Sequence, residues 1–268
     1  GLLFIFIFII LCSKNPVSDT GGLPRELTSL EKSVVKSSGN FGLKLFSAVN
    51  NEDRDKNIFI SPLSVSIALG MTLNGASGET KDAMQGTLEL GGLTNQEINE
   101  SYKNLMELLK VVDARVEFQC ANSIWYRQEM RFEESFLNVC RDYFDAETRG
   151  LQFDDPGAPD IINGWVSGKT NGRIVEIVKR IDPETVMFLI NAIYFKGIWK
   201  YEFDRSRTKE DFFNTPDGTK KPCLMMSQGG EFQYFENDDF QAVDLPYGDG
   251  YYSMSVFMPR EGKDINYM

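Results

Sequence analysis

An apolar run near the middle of the chain, Thr185-Val-Met-Phe-Leu-Ile-Asn-Ala-Ile-Tyr-Phe195, followed at once by Lys-Gly-Ile-Trp199, sets the tightest limit on the fold. It lacks the apolar and polar alternation of a strand with one wet face. It is therefore expected as a strand covered on both sides, a central member of a large sheet. Asn191 interrupts the run. A buried amide without partners costs roughly 2–7 kcal/mol, depending on the reference state. Its partners must therefore come from elsewhere in the chain. A polar group that pins the strand to a neighbour is the plain reading, and a direct chemical role is the other.

With 268 residues, 42% hydrophobic and 25% charged, the chain is long enough for one large domain or two small ones. No internal repeat or low-complexity tract divides it, which favours one. A net charge of −11 argues against a nucleic-acid footprint or attraction to anionic lipid. The chain has no histidine. That excludes Ser-His and Cys-His nucleophiles and imidazole metal sites within these residues. Cys12, Cys120, Cys140 and Cys223 show no Cys-x-x-Cys spacing, which argues against zinc, and no cofactor is implied. Cys120 and Cys140 sit in apolar contexts and read as small core residues rather than a bridge.

Residues Leu2 to Leu11 are uniformly apolar but too short to span a bilayer, and Ser13-Lys14-Asn15 follows. This is the pattern of the apolar region of a secretory signal. The chain opens on Gly with no basic segment before the run, so the precursor is expected to begin further upstream. Cys12 directly after the run resembles the lipidated cysteine of bacterial lipoproteins, with a plain cleaved signal as the alternative. Either places the protein outside the cytoplasm, secreted or at the cell surface. Residues 1–27 are thus a signal-like or lipoprotein-like segment and linker.

Thr28-x-x-Glu31 is a capping box opening a helix with Val34, Phe41, Leu45, Phe46 and Val49 largely on one side. In Asn57-Ile-Phe-Ile-Ser-Pro-Leu-Ser-Val-Ser-Ile-Ala-Leu-Gly-Met71 a short extended piece runs into an apolar helix. Ser61 is placed to cap it and Pro62 to take the first helical position. Ser64 and Ser66 then need partners inside a core helix. A further segment begins near Ser77, and Thr94-x-x-Glu97 opens a helix with Ile98, Tyr102, Leu105, Met106 and Leu109 in register. Its Lys103 and Lys110 are too few for a polyanion site, and its sequon Asn99-Glu-Ser101 is weak evidence of glycosylation. Val116 to Tyr126 reads as a second central strand, and Phe132 to Phe144 as a helix. Asp160 to Ile174 reads as a helix presenting Ile161, Ile162, Trp165 and Val166, stopped at Asn171-Gly172. Phe203 to Met258 is a run of short strands with turn signals between them. Sheets mixed with packed helices in this order make an α+β chain.

On these pieces the chain resembles the serpins, the large serine-protease-inhibitor family, over residues 28–268. The matching motifs are Asn57-Ile-Phe-Ile-Ser-Pro-Leu-Ser, Asn74-Gly75 with Gly78-x-Thr80, Ile162-Asn-x-Trp-Val-x-x-x-Thr-x-Gly-x-Ile174, and Asn191-Ala-x-x-Phe-Lys-Gly-x-Trp199 ending at Phe203. The resemblance implies a large central mixed sheet with packed helices and a second, antiparallel sheet. It implies an inhibitor and not an enzyme: a protease attacks a bait bond in a flexible loop, an acyl-enzyme forms, and the cut loop inserts as a new strand into the central sheet. Thr185 to Tyr194 would border that insertion. Ser61, Ser64 and Asn191 resemble the shutter, a polar cluster beneath the sheet. Lys196, Trp199 and Phe203 resemble the breach where insertion starts. The helix carrying Asn163, Trp165, Thr170 and Gly172 resembles the one that covers the sheet and moves aside, although Trp165 and Trp199 also suit plain core packing.

Family members continue for about another third of their length, so the reactive bond is expected to be absent from this chain, together with the shutter's usual histidine. The implied partner is an extracellular serine protease, with a cysteine protease as the other candidate, and the complete protein is expected to be a monomer. A non-inhibitory serpin-fold carrier or chaperone is the alternative. A hydrolase built on Asp154/Asp155 or Asp238/Asp239 is the reading from another class, and adjacent acids in loops are usually solvated.

Overall fold

The computed structural model describes residues 4–6, 23–53, 56–215 and 218–263. These gather into two compact units, one of Arg25–Lys110 with Phe118–Phe195, the other built mainly from Val111–Glu117 with Lys196–Met268.

In the first unit, helix α1 (Ser29–Glu52) starts where the capping box predicts. Thr28 Oγ1 accepts the Glu31 N–H at 3.1 Å and the Glu31 carboxylate accepts the Thr28 N–H at 2.8 Å. Arg25 adds two bonds of 2.7 Å to the same carboxylate, which is 1% exposed. This buried negative charge is thus paired at the helix end where the macrodipole favours it. Helix α2 (Pro62–Leu73) begins at Ser61, whose hydroxyl accepts the Ser64 N–H at 3.3 Å, and buries Ile67, Met71 and Leu73. Helix α3 (Gly78–Thr87) buries nothing, and Ser77 makes no side-chain cap bond, so it is peripheral. Helix α4 (Asn95–Val111) opens on the Thr94 and Glu97 capping pair and buries Ile98, Tyr102, Leu105, Met106 and Leu109, the stripe its periodicity predicts. Helix α5 (Glu134–Phe144) buries Leu137, Cys140 and Phe144.

The sheet of this unit has the order β3-β2-β4. Strand β2 (Val116–Arg127), expected as a central strand, lies in the middle, and β3 (Ala146–Leu151) pairs with it in parallel, Asn122 to Ala146 through Arg127 to Leu151. Strand β4 (Met187–Gly197) lies on the other side. Asn122 meets Asn191 while the Arg127 N–H meets the Val186 carbonyl, so β4 runs antiparallel to β2 and the sheet is mixed. Among the described residues no strand pairs with the outer side of β4. It is half-buried along most of its length, with only Ala192 fully covered. The uniformly apolar run reflects its two packed faces, and says nothing of how many neighbours it pairs with.

Helix α6 (Ala158–Lys169) covers one face of this sheet. Its Ala158, Ile162 and Trp165 pack with Trp125 of β2, Leu151 of β3, Phe153, and Phe188 and Ile190 of β4. Ile161, expected on that face, is instead 39% exposed, because the buried stripe of α6 is narrower than the apolar run.

In the second unit, strands β7 (Gln233–Glu236), β8 (Phe240–Tyr247) and β9 (Tyr252–Pro259) form an antiparallel sheet. Strand β1 (Phe4–Phe6), from the N-terminal apolar run, pairs antiparallel with β9, Phe4 opposite Phe257 and Phe6 opposite Ser255. The rest of that run and Cys12 lie outside the described residues. Strands β5 (Lys209–Asn214) and β6 (Lys220–Met225) form a separate antiparallel pair. The β8–β9 turn is held by buried Asp113, which accepts the Asp249 N–H at 2.8 Å and the Arg115 N–H at 3.0 Å. Gly248 in that turn has φ +50, and a Cβ there would stand 2.5 Å from the Asp113 carboxylate, so both conformation and space require glycine. Among the described residues no helix is long and apolar enough to cross a membrane.

Candidate functional site

Beneath β4, on the face away from α6, a polar cluster interrupts the apolar packing. Asn191 donates from Nδ2 to Asn122 Oδ1 at 2.7 Å and to Cys120 Sγ at 3.2 Å. Asn122, 2% exposed, donates in turn to the Phe144 carbonyl at 2.6 Å, which satisfies an orphan carbonyl at the end of α5. Ser64 reaches the same place from α2, donating to the Asn191 backbone carbonyl at 3.3 Å. The strand period of two puts residues 120 and 122 on one side of β2 and Trp125 on the other, and Asn191 opposite in side to Phe188 and Ile190 on β4; the register between the two strands then brings the amides together. Asn191 Oδ1 is buried and accepts no hydrogen bond.

Of the predicted trio, Ser64 and Asn191 therefore meet, through a backbone carbonyl rather than side chain to side chain. Ser61 is exposed, and its hydroxyl caps α2. The partners that sequence reasoning missed are Asn122 and Cys120. Asn122 carried a signal, since it is a second amide in a second apolar strand. Cys120 carried none beyond its apolar surroundings. Burial pushes its thiol pKa up, partly offset by the Asn191 hydrogen bond. Cys140, also buried, has its thiol pushed up to about 12 by burial. Neither is a thiolate nucleophile at neutral pH.

The covering helix is tied at its middle and at its C-terminal end. Asn163 of α6 donates to the Val178 carbonyl at 2.7 Å and accepts the N–H groups of Ile177 and Val178 at 2.9 and 3.0 Å, clipping the returning chain. Thr170, 1% exposed, donates to the Val166 carbonyl at 2.8 Å and accepts the Ile174 N–H at 3.1 Å. Gly172, with φ +72, sends its N–H back to the Ser167 carbonyl at 2.8 Å, a left-handed stop. Trp165 meets Trp125 edge-on with ring centroids 6.4 Å apart, and Lys169 lies over the Trp165 ring at 5.6 Å. Lys169 also binds Glu147 of β3 at 2.8 Å, the main reason that the Glu147 pKa is lowered. Arg127, at the end of β2, holds the chain entering β4 with bonds to the Thr185 and Pro183 carbonyls at 3.2 and 3.0 Å, a clamp that the sequence reading did not pick out.

At the end of β4 and just beyond it the three predicted breach residues separate in role. Lys196 is exposed. Trp199 stacks on Tyr247 of β8 with centroids 4.3 Å apart and planes 14° apart, and meets Phe203 edge-on at 5.7 Å. A Cβ on Gly197 would stand 2.8 Å from the Tyr247 ring, so glycine is what lets the chain pass. Burial pushes the Tyr247 hydroxyl up to about 12.

Comparison with known proteins accounts for this arrangement. The family model for serpins, described as serine protease inhibitors, matches residues 36–268. The chain belongs to the serpin family. Relatives of this serpin include an uncharacterised serpin-like protein of Thermococcus kodakarensis, 33% identical over 87% of this chain and 54% of the relative, and human serpin B8, 32% identical over 87% and 63%. The chain thus spans between half and two thirds of the length of these relatives. Among solved structures, the thermophilic serpin tengpin in its native state matches with a TM-score of 0.79 at 30% identity, over 98% of this chain and 64% of tengpin. Cleaved kallistatin matches with a TM-score of 0.81 at 25% identity, over 87% and 70%. The serpin fold, with its mixed sheet and packed helices, is therefore the fold of this chain.

Proposed function

We propose that this serpin chain is the sheet-bearing part of a suicide inhibitor of an extracellular serine protease. The protease serine attacks a bait carbonyl in the reactive loop, the peptide bond breaks with release of its amine side, and the acyl ester persists because the loop adds itself as a strand beside β4. The loop belongs to the part of its relatives' length that this chain does not span. One observation carries the reading: an otherwise apolar strand, β4, is held on its underside by the polar contacts of Asn191, Asn122 and Ser64. Amide and hydroxyl bonds can be exchanged for others as strands part, whereas interdigitated side chains would have to be unpacked together.

In this reading Ser64 and Asn191 act as the shutter with Ser61 at its rim, Trp199 and Phe203 with Lys196 form the breach, and the α6 segment bearing Asn163, Trp165, Thr170 and Gly172 moves aside. Secretion, with or without a lipid on Cys12, is part of the proposal. The test is to incubate the full-length protein with trypsin-like, chymotrypsin-like and elastase-like serine proteases and with a papain-like protease. An SDS-stable adduct with a serine protease is expected, of the summed mass less the released amine-side fragment. Clean cleavage of the loop by every protease, with no adduct, would refute inhibition and favour the carrier or chaperone reading. An adduct formed only with the papain-like enzyme would move the target class to cysteine proteases.

A further inference from the structure

Away from β4, a cleft of about 440 Å³ opens between the end of α2, the first turn of α4 and one side of α5, lined by Asn74, Asn95, Gln96, Asn99 and Ser135 together with Phe136, Val139 and Tyr143. Its size falls in the range of small-molecule sites, roughly 300–1,000 Å³. No lining residue carries a charge, in a chain of net charge −11. The nearby acids of α4 are occupied, Glu97 by the Thr94 cap and Glu100 by Gln96. The lining offers an ion no counter-charge, so it favours a neutral guest.

The floor is rigid. Asn74 and Asn99 exchange amide bonds of 2.9 and 2.8 Å, and Asn74 also donates to the Gly70 carbonyl at 3.0 Å. Asn95 has its Oδ1 buried and without a donor, a deficit that a ligand hydroxyl would relieve after a side-chain turn. Amide and hydroxyl groups beside the rings of Phe136 and Tyr143 match the chemistry of a pyranose, whose hydroxyls donate and accept while its C–H face rests on an aromatic ring.

We propose that this cleft binds a neutral sugar ring, free or as the end of a glycan chain. The proposal is independent of protease inhibition, and its test contains no protease. The full-length protein is titrated by saturation-transfer NMR with the methyl glycosides of glucose, galactose and N-acetylglucosamine, and with a neutral N-glycan oligosaccharide. Gln96→Ala, Ser135→Ala and Tyr143→Ala serve as cleft variants, each checked for an unchanged near-ultraviolet dichroism spectrum. Saturable binding of at least one probe, weakened at least fivefold in two of the variants, is expected. Tighter binding of the oligosaccharide would identify the glycan as the source, and equal binding the free sugar. No saturable binding of any probe, or binding unchanged in all variants that keep the native spectrum, would overturn the proposal.

Discussion

The bond between Asn191 and Asn122 offers a quantitative check on the cluster beneath β4. In Asn191→Ala the Nδ2 group is lost, and Asn122 Oδ1, at 2% residue exposure, is left without its 2.7 Å donor. Stranding a buried acceptor costs about 1–3 kcal/mol. The second bond lost, to Cys120 Sγ, is weak because sulfur is a poor acceptor. Removal of the unbonded Asn191 Oδ1 recovers part of the cost, so the net loss should be about 1–2 kcal/mol. Asn122→Ala leaves Asn191 Nδ2 with only the weak Cys120 acceptor and strands the Phe144 carbonyl at the end of α5, and should cost about 2–4 kcal/mol. Urea unfolding of the two single variants and the double variant closes the cycle. The double variant should be less damaged than the sum by about 1 kcal/mol, since the shared bond is counted twice. Additivity within about 0.3 kcal/mol would mean that the two amides do not act on each other, and the cluster would lose its physical basis.

Three further outcomes follow from particular contacts. Glu31 has its pKa lowered, first by the Arg25 hydrogen bonds and then by Thr28. Its contribution is therefore present above the ordinary carboxylate range near pH 4.3 and is lost as pH falls through the lower folded value. Glu31→Gln should cost about 1–3 kcal/mol in urea melts at pH 7 and much less at pH 3; an equal cost at both would refute the pairing. Gly197→Ala drives a Cβ into the Tyr247 ring and should destabilise by about 1–3 kcal/mol while changing the fluorescence of the stacked Trp199, read by calorimetry and fluorescence. Asn99 is 3% exposed and its amide is paired with Asn74, so expression in a glycosylating host should give no glycosidase-sensitive mass at this sequon; an attached glycan there would contradict the observed packing.

Local grammar made the helices legible. The Thr28 and Thr94 capping boxes, Ser61 with Pro62, and the stripe from Ile98 to Leu109 all correspond to observed caps and buried faces. Strand pairing was less legible, because an apolar run reports what covers its faces and not what lies along its edges. Likewise the need of Asn191 for partners was readable, but the identity of Asn122 and Cys120 depends on the register between β2 and β4, which no local pattern encodes. Arg127 escaped notice for a similar reason: its bonds to the Pro183 and Thr185 carbonyls join segments more than 50 residues apart, and a charged residue at a strand end ordinarily reads as solvated.

The claim on which the functional account turns is that the sheet gains stability by taking up one more strand beside β4. The direct measurement is the unfolding temperature of the full-length protein before and after a single cut in its reactive loop. A marked rise after the cut is predicted, since the inserted strand supplies ladder bonds and burial that the intact form lacks. An unchanged or lowered unfolding temperature, with the cut verified by mass, would contradict it.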